Sequence, residues 1–382
     1  MRIAIFSEVY WPIVSGVSLV VQRLATAMRQ RGHAVRVYAP DYELQPGASD
    51  LEATFRSPAK RLFLYPDVQW AFPHWPSIST DFARFKPDVV HVATEFSMGT
   101  AGIRLARAHG VPVIASAHTD YERYASRYRL ELLTGAAWHY LRWFYRHAER
   151  VLCPSREYER HLNLRGVRHT GIWTRGVDLE AFGPHHRSES VREALGIAPG
   201  QLMVLYVGRL AVEKNLHLLT EAWAQLGTRR GDPRLVIVGN GPLEATLAAE
   251  AHPDVVIAGS RTGRALSEIY ASADCFVFPS STETFGNVLL EAMGSGLPSL
   301  AVSAGGVLDF AQHGTNAWMV EPDNALALAD GVARLLSDAG LRQQLATGAI
   351  TTAKTRDWAS IFDGVAAEYE AAIGSAAVPL AA

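Results

Sequence analysis

The feature that most constrains this chain is a repeated unit, in which a short β-branched apolar run is followed by a turn and a helix-period stretch. The first unit is RIAIFS with a predicted helix from Val17 to Arg31, whose apolar residues share one face and which stops at Gly32. Later runs in the first half read AVRVYA, DVVHVA, VPVIASAH and RVLCPS. This alternation predicts a buried parallel sheet with helices on both faces.

The pattern restarts after the irregular segment RHTGIWTRGVDLEAFGPHHRS, which we interpret as an interdomain linker. The strands predicted beyond it are LMVLYVG, RLVIVG, VVIAG, CFVFPS and LPSLAV. A chain of 382 residues that is 48% hydrophobic is long enough for two domains with separate cores. We therefore predict an α/β fold of two doubly wound domains facing each other across a cleft, residues 1–175 and 176–355.

Composition excludes several classes of protein. Charged residues make up 19% of the chain and the net charge is −2, so no basic field favours a nucleic-acid partner. The two cysteines, Cys153 and Cys275, have neither disulfide-framework nor zinc-site spacing. The N-terminal apolar run breaks at Glu8, and no stretch nears eighteen apolar residues. We expect a cytoplasmic protein, with contact at the inner face of the membrane left open.

Parallel sheets bind ligands at the carboxyl ends of their strands, so candidate site residues are expected in the loops that follow those ends. Gly16 opens a helix whose N–H groups suit an anion, although a turn glycine fits equally. His118 can donate to a substrate oxygen, or it caps the next helix. Arg209 and Lys214 suit a diphosphate, whereas either alone is an ordinary surface cation. GNGPLE (239–244) lacks the third glycine of a dinucleotide fingerprint.

A further strand end is followed by ETFGNVLLEA, which carries two carboxylates. Glu283 lies in the predicted loop and can accept hydrogen bonds from sugar hydroxyls, while Glu291 lies inside a helix predicted to begin near Asn287 and can accept both ribose hydroxyls. Phe285, Gly286 and Asn287 present N–H groups to an anion. The alternative is that Glu291 only interacts favourably with the dipole at the start of its helix, and that Glu283 lies in a solvated turn.

These residues resemble the retaining GT-B glycosyltransferases of family four, whose E-x7-E signature is similar to ETFGNVLLEA. The resemblance extends over seven blocks in the family's order. They are MRIAIFSEVYWPIVSGVSLVVQRLATAMRQRGHAVRVYAP, FKPDVVHVATEFSMGTAGIRLARAHGVPVIASAHTDY, RGVDLEAF, YVGRLAVEKNL, IVGNGP, YASADCFVFPSSTETFGNVLLEAMGSGLPSLAV and AGGVLD.

The resemblance implies two Rossmann-like domains and transfer of a sugar from a nucleotide diphosphate with retention of configuration. Arg209 and Lys214 would hold the diphosphate with backbone help from Gly16, and Glu291 would bind the ribose. The predicted catalytic residues are His118, Arg209, Lys214 and Glu283. The predicted donor-binding residues include Arg209, Lys214 and Glu283 of that set, together with Gly16, Phe285, Gly286, Asn287, Val288 and Glu291. Tyr121 is the candidate on the acceptor side. A last segment, 356–382, with the helix WASIFDGVAAEYEAAIG, would cross back to the N-terminal domain.

SRTGRALSEIYASADCFVFPS and RLFLYPDVQWAFP look most like the subgroup with GDP-mannose-dependent α-mannosyltransferases. That resemblance implies mannose transfer to a glycolipid or saccharide, with UDP-glucose, UDP-glucuronate and UDP-sulfoquinovose as alternative donors. The chain has no D-x-D motif, and we expect no metal and no cofactor. No second carboxylate is placed as a nucleophile, which favours front-face attack. A sugar-nucleotide epimerase, an NAD-dependent enzyme and a non-catalytic sugar-nucleotide-binding module stay open.

The segment AWHYLRWFYRHAER (137–150) predicts a helix with basic residues on one face, flanked by Trp138, Leu141, Trp143 and Tyr145. The basic residues are His139, Arg142, Arg146 and Arg150. Such a helix can rest on an anionic bilayer, with Arg142 and Arg146 as membrane candidates. The alternative is that the aromatic residues pack into the core and the arginines are solvated.

Overall fold

The computed structural model describes residues 1–13, 15–42, 54–62, 65–122, 134–226 and 233–376. The chain divides into two compact units. Unit 1 comprises Met1–Thr119, Leu132–Thr174 and Ala359–Ala382. Unit 2 comprises Asp120–Glu131 and Arg175–Trp358.

The strands form two parallel sheets and one antiparallel pair within the described ranges. They are β1 Arg2–Phe6, β2 Ala34–Pro40, β3 Thr54–Ser57, β4 Ala59–Leu62, β5 Tyr65–Ala71, β6 Val89–Val92, β7 Val113–Ser116, β8 Arg150–Cys153, β9 Thr170–Ile172, β10 Met203–Val207, β11 Arg234–Val238, β12 Val255–Gly259, β13 Cys275–Phe278, β14 Ser299–Val302 and β15 Trp318–Val320. The sheet of unit 1 has the order β3-β2-β1-β6-β7-β8-β9, and β4 pairs with β5. The sheet of unit 2 has the order β12-β11-β10-β13-β14-β15.

Helices connect these strands. They are α1 Gly16–Gln30, α2 Trp75–Phe85, α3 Ser97–His109, α4 Thr134–Tyr145, α5 Arg156–Leu164, α6 Glu189–Ala194, α7 Leu216–Leu226, α8 Glu244–Glu250, α9 Gly263–Ser272, α10 Asn287–Gly294, α11 Ala325–Ser337, α12 Ala339–Lys354 and α13 Trp358–Ala376. No helix in the described part of the chain is both long enough and apolar enough to cross a bilayer.

In unit 1, the first strand and the first helix follow the sequence pattern closely. The four residues from Ile3 to Phe6 are fully buried, and Phe6 stacks on Tyr38 of the neighbouring strand with ring centroids 4.4 Å apart. Ser15 precedes α1, and its hydroxyl accepts a hydrogen bond from the Ser18 N–H at 3.2 Å, which satisfies one of the unpaired donors of the first turn. The helix therefore starts at Gly16, the earlier of the two predicted starts, Gly16 and Val17, and it ends at Gln30, one residue before the predicted Arg31.

The sheet of unit 2 is covered on both faces. Successive residues of one strand, such as Leu235 and Val236, enter different buried clusters, because side chains alternate across a sheet. One cluster contains Val236 and Phe276, and the other contains Leu235 and Val277. Continuous apolar runs therefore mark strands buried on both sides, and the predicted α/β class with two doubly wound parallel sheets is confirmed.

The predicted linker is partly wrong. Residues Thr170–Ile172 form β9, which pairs in parallel with β8 in the register Val151↔Thr170. A strand of three residues containing a glycine is too short to show an apolar period, so the sequence pattern missed it. The backbone pairing with β8 holds it at the edge of the sheet.

The predicted basic helix is also wrong at its end. Helix α4 ends at Tyr145, and Arg150 is the first residue of β8, so the four basic residues do not share one helical face. The Glu149 N–H instead donates a hydrogen bond to the carbonyl of Val113, the first residue of β7, at 2.8 Å. The residues that follow Glu149 therefore continue as a strand of the sheet. Trp138 and Tyr145 are buried in the core, as the alternative interpretation of this segment required.

Candidate functional site

The loop after β10 carries Arg209 and Lys214, the two residues that are predicted to bind the diphosphate. The strand ends at Val207, Arg209 follows two residues later and is half-buried, and Val212–Lys214 form one turn of 3-10 helix. The buried Tyr206 hydroxyl donates to the Arg209 carbonyl at 3.2 Å. The backbone of this loop is therefore held from within its own unit.

A second loop packs directly on the first. The Leu210 N–H donates to the Asn240 carbonyl at 2.8 Å. A Cβ atom at Gly239 would lie 1.9 Å from the Gly208 carbonyl oxygen, and one at Gly241 would lie 2.4 Å from that of Leu210. Both positions therefore require glycine for close backbone approach. The GNGP motif, which the sequence suggested only as an incomplete dinucleotide fingerprint, supports the Arg209 loop.

Lys214 contacts Glu283 across the ends of two neighbouring strands. Lys214 Nζ donates to Glu283 Oε1, and the side chains are 15% and 22% exposed. The Thr282 hydroxyl donates to the Glu213 carbonyl at 3.0 Å, and Asn215 Nδ2 donates to the Pro279 carbonyl at 3.2 Å. The structure thus brings together Lys214, which is predicted to bind the diphosphate, and Glu283, which is predicted to bind the sugar. They lie on two loops that are hydrogen-bonded to each other.

The Glu283 loop is held by the short 3-10 helix Gly305–Asp309. The Gly306 N–H donates to the Glu283 carbonyl at 2.8 Å, and a Cβ atom at Gly306 would lie 2.1 Å from the Thr284 carbonyl oxygen. Phe285 is 3% exposed and stacks on Phe310, with ring centroids 5.0 Å apart. The loop is a rigid platform for the helix that follows it.

Helix α10 begins where the sequence predicted, at Asn287. Gly286 precedes it with φ 101°, a left-handed conformation that favours glycine. Val288 is half-buried in the first turn. The N–H groups of a helix's first turn have no partner within the helix, so this end of α10 suits an anion.

Glu291 lies in the second turn of α10 and is oriented by a tyrosine. The Tyr270 hydroxyl is 3.1 Å from Glu291 Oε2, and Tyr270 is fully buried. Burial, and then the neighbouring carboxylate, raise the pKa of Tyr270 well above its usual range, so the hydroxyl keeps its proton. It therefore acts as a donor, shared between Glu291 Oε2 and the Val288 carbonyl at 3.2 Å, and it orients the Glu291 carboxylate.

The remaining predicted residues belong to other parts of the chain. Gly16 is exposed at the start of α1, and His118 is half-buried two residues after β7, both in unit 1. Tyr121 is half-buried in a segment assigned to unit 2. Arg142 and Arg146 are exposed at the end of α4, where the Arg146 N–H donates to the Arg142 carbonyl at 3.1 Å.

His118 has a partner that the sequence pattern did not suggest. Its Nε2 lies 2.8 Å from the hydroxyl of Ser116, the last residue of β7. Its ring also packs edge-on against Trp173, with centroids 5.5 Å apart. The strand end and the indole together orient the imidazole.

Unit 1 also carries a buried carboxylate at a strand end. Glu8 follows β1 and accepts hydrogen bonds from Ser97 Oγ at 2.5 Å, the Met98 N–H at 2.7 Å and Thr94 Oγ1 at 3.0 Å. It thereby caps the start of α3. Burial outweighs these hydrogen bonds and raises the pKa of Glu8 to about 7.

The sequence missed the residues that support the site, because their roles depend on contacts between distant segments. They are Ser116, Tyr206, Asn215, Gly239, Gly241, Tyr270 and Gly306. The close glycines had a visible signal in GNGP and AGGVLD, but a tyrosine on a helix face has none. Among the described residues, no group of three His, Cys, Asp or Glu is arranged to hold a metal ion.

Two family descriptions match this chain. One, "Glycosyl transferases group 1", matches residues 187–352, and the other, "Glycosyltransferase Family 4", matches residues 14–181. The first covers the loops with Arg209, Lys214 and both glutamates of the E-x7-E signature. The second covers Gly16 and His118.

Curated relatives and solved structures agree with these matches. The GDP-mannose-dependent alpha-mannosyltransferase of Mycobacterium tuberculosis is 35% identical over 381 residues, which cover 98% of this chain and 97% of that protein. The sulfoquinovosyl transferase of Arabidopsis thaliana is 33% identical over 318 residues, covering 81% of this chain and 62% of that protein. Sucrose-phosphate synthase from Thermosynechococcus elongatus has the same fold, with a TM-score of 0.81 at 20% identity over 98% of this chain and 99% of that one.

Proposed function

This chain belongs to the family 4 glycosyltransferases, and from that premise we propose that it moves mannose from GDP-mannose to a hydroxyl of a glycolipid or saccharide. It has the GT-B fold and is a hexosyltransferase. The observation that carries the choice of donor is the 35% identity over 98% of the chain to a relative named for GDP-mannose.

Charge stabilisation is the chemistry we propose for the Arg209 loop and its neighbour. As the bond between the sugar and the diphosphate breaks, negative charge develops on the leaving group. Arg209, Lys214 and the N–H groups at the start of α10 stabilise that charge. The half-buried position of Lys214 strengthens its effect, because a charge screened less by water acts more strongly. We propose that these groups carry the diphosphate charge without a metal.

The contact between Lys214 and Glu283 supports a proposed division of the donor between the two side chains. Lys214 takes the diphosphate and Glu283 accepts hydrogen bonds from the sugar hydroxyls next to it, so the glycosidic bond lies between them. No second carboxylate has a nucleophile's role in this proposal, and the acceptor attacks from the face that the diphosphate leaves. Retention of configuration follows from that front-face path.

Glu291 takes the ribose in this proposal. Tyr270 holds its carboxylate in place, and a carboxylate accepts both hydroxyls of a ribose through its two oxygens. Glu291 is thus separated in function from Glu283, which meets only the sugar. The two glutamates of one signature therefore make different contributions, one to nucleotide affinity and one to turnover.

The deciding experiment is a donor screen that measures binding and turnover side by side with GDP-mannose, UDP-glucose, UDP-glucuronate and UDP-sulfoquinovose. We expect GDP-mannose alone to give rapid transfer, with the α anomer in the product. Glu283→Gln should lower turnover more than GDP affinity, and Glu291→Gln should weaken GDP itself by about 1.5 to 3 kcal/mol. Turnover with UDP-sugars only would contradict the assignment.

A UDP-sugar donor is the second candidate. The 33% identity to a sulfoquinovosyl transferase favours it, although the match covers only 62% of that protein. The same screen separates the two candidates, because the base and the sugar are varied independently.

For the acceptor, we propose a glycolipid reached at an anionic membrane surface through the exposed Arg142 and Arg146. Vesicle sedimentation at low salt tests this step. We expect the protein to pellet with anionic vesicles and less so after the double change Arg142→Glu with Arg146→Glu. The matched control is Arg264→Glu, an arginine that is 85% exposed in unit 2. Wild-type protein that stays in the supernatant would favour a soluble saccharide acceptor.

A further inference from the structure

A continuous chain of hydrogen bonds runs through unit 1 from the last helix to His118. The Tyr369 hydroxyl on α13 lies 2.6 Å from His91 Nδ1, and His91 Nε2 lies 2.8 Å from Ser116 Oγ. Ser116 Oγ lies 2.8 Å from His118 Nε2. Tyr369 and His91 are fully buried, and Ser116 is 1% exposed. The hydrogen bonds therefore link three buried groups, on three different elements, to His118, which the sequence predicts to be catalytic.

The direction of the first hydrogen bond follows from burial. Tyr369 keeps its hydroxyl proton, since burial raises its pKa far above its usual value. Within the described residues, His91 is the partner of this hydroxyl. If His91 donated instead, the hydroxyl proton would be buried without an acceptor, which is the costlier arrangement. Tyr369 therefore donates and His91 Nδ1 accepts.

The rest of the chain then has one consistent order. Burial lowers the pKa of His91 to about 3, so its ring is neutral and carries one proton. With Nδ1 accepting, that proton is on Nε2 and is donated to Ser116 Oγ. The Ser116 hydroxyl proton is then directed to His118 Nε2, which accepts it. Each link uses one donor and one acceptor.

One indole holds both imidazoles in this arrangement. Trp173 is 1% exposed, and its ring lies 5.5 Å from His91 and 5.5 Å from His118 between centroids, both edge-on. Rotation of either ring would lose its present edge-on contact with Trp173. The packing therefore favours the ring orientations on which the order of protons depends.

We propose that Tyr369, His91 and Ser116 are positioning residues that fix His118 as the tautomer with its proton on Nδ1. His118 then meets a substrate oxygen with Nδ1–H as a hydrogen-bond donor. This inference deepens the proposed function, on which it rests, because it assigns the chemical state of His118 rather than its presence at the site. It also gives α13 a role in the chemistry of a residue on another element.

The test reads the tautomer directly, by two-bond ¹H–¹⁵N NMR on the full-length protein with ¹⁵N-labelled histidine. The chain has 14 histidines, so the His118 signals are assigned by their loss in His118→Gln. In wild-type protein we expect a protonated Nδ1 and an unprotonated Nε2 for His118, and the opposite for His91. A protonated Nε2 on His118 would overturn the proposal without any variant.

Variants then test the cause. Ser116→Ala and Tyr369→Phe should each populate the other His118 tautomer and lower kcat, by roughly the 10- to 100-fold seen when a metal-bound histidine loses its outer hydrogen-bond partner. Ser116→Thr keeps the hydroxyl and should keep the wild-type tautomer. Tyr38→Phe is the matched control, because Tyr38 is a fully buried tyrosine of unit 1 that bonds Asp81 instead.

The outcomes separate this inference from the proposed function. An unchanged His118 tautomer in both Ser116→Ala and Tyr369→Phe would refute the positioning role, whatever the donor. Full turnover in His118→Gln, with the predicted tautomer present in wild-type protein, would refute the catalytic role of His118 and leave the hydrogen-bond order standing.

Discussion

The contact between Lys214 and Glu283 predicts a measurable coupling between the two side chains. We would replace Lys214 with Met and Glu283 with Gln, singly and together, which removes each charge while keeping most of the volume. Because the side chains are 15% and 22% exposed, neither charge is fully hydrated when the partner is removed. The cost of the two single changes should therefore exceed the cost of the double change.

The size of this coupling can be bounded. Two unit charges in contact at about 2.8 Å attract by about 6 kcal/mol at an effective dielectric constant of about 20. Desolvation of both groups offsets much of that gain, so that exposed pairs contribute only about 0.2 to 1 kcal/mol, whereas breaking a buried pair costs about 3 to 5 kcal/mol. For a pair between these limits we expect a coupling of about 1 to 3 kcal/mol.

Native-state hydrogen exchange provides the assay, because the core amides of β10 report the unfolding free energy of unit 2 by itself. The control is the same cycle on Arg264 and Glu268, a pair at 2.7 Å in which Arg264 is 85% exposed and whose coupling should stay below about 0.5 kcal/mol. Additive single changes at Lys214 and Glu283, within about 0.5 kcal/mol, would refute the reasoning from burial.

Four further predictions concern the site and its surroundings. Arg209→Ala should lower kcat on the order of 10²-fold, and EDTA should leave wild-type turnover unchanged; a loss restored only by a divalent ion would contradict the charge assignment. Tyr270→Phe should weaken GDP binding by about 1 kcal/mol in calorimetry, because Glu291 loses its oriented donor. Glu8 has a pKa of about 7 when folded against 4.5 in its ordinary state, so its contribution to stability is full below pH 4.5 and is lost as pH rises to 7. From pH 4.5 to 8, wild-type unit 1 should lose about 3 kcal/mol relative to Glu8→Gln in urea unfolding, and parallel pH profiles would contradict the shift.

The fold was largely predictable because strands buried on both faces produce continuous apolar runs. The runs RIAIFS and LMVLYVG became β1 and β10, and α1 begins at Gly16, one of its two predicted starts. The predictions were wrong where backbone pairing with a neighbouring strand, rather than the spacing of apolar residues, decides the secondary structure. Residues Thr170–Ile172 have no strand pattern of their own, although they form β9. Arg150 fits the helical pattern of the preceding residues, although it is the first residue of β8.

The site was predictable only where its residues follow a strand end in a recognisable loop. Lys214 and Glu283 are far apart in the chain, yet the order of the parallel sheet places the ends of β10 and β13 side by side. Their contact follows from topology. The contact that orients Glu291 does not, because the Tyr270 hydroxyl lies on α9, and a tyrosine on that helix looks like an ordinary core residue.

The order of protons at His118 shows why such support escapes sequence reasoning. His91 lies within DVVHVA, where one polar residue interrupts an apolar strand, and that interruption is the visible signal. Most buried polar side chains are hydrogen-bonded, so the sequence predicts partners for His91. It does not identify them, since Tyr369 is 278 residues away and Ser116 is 25 away. Only the packing of α13 against the sheet turns a buried histidine into a determinant of the state of His118. For that reason, a change on the last helix should alter the chemistry of a residue that it does not touch.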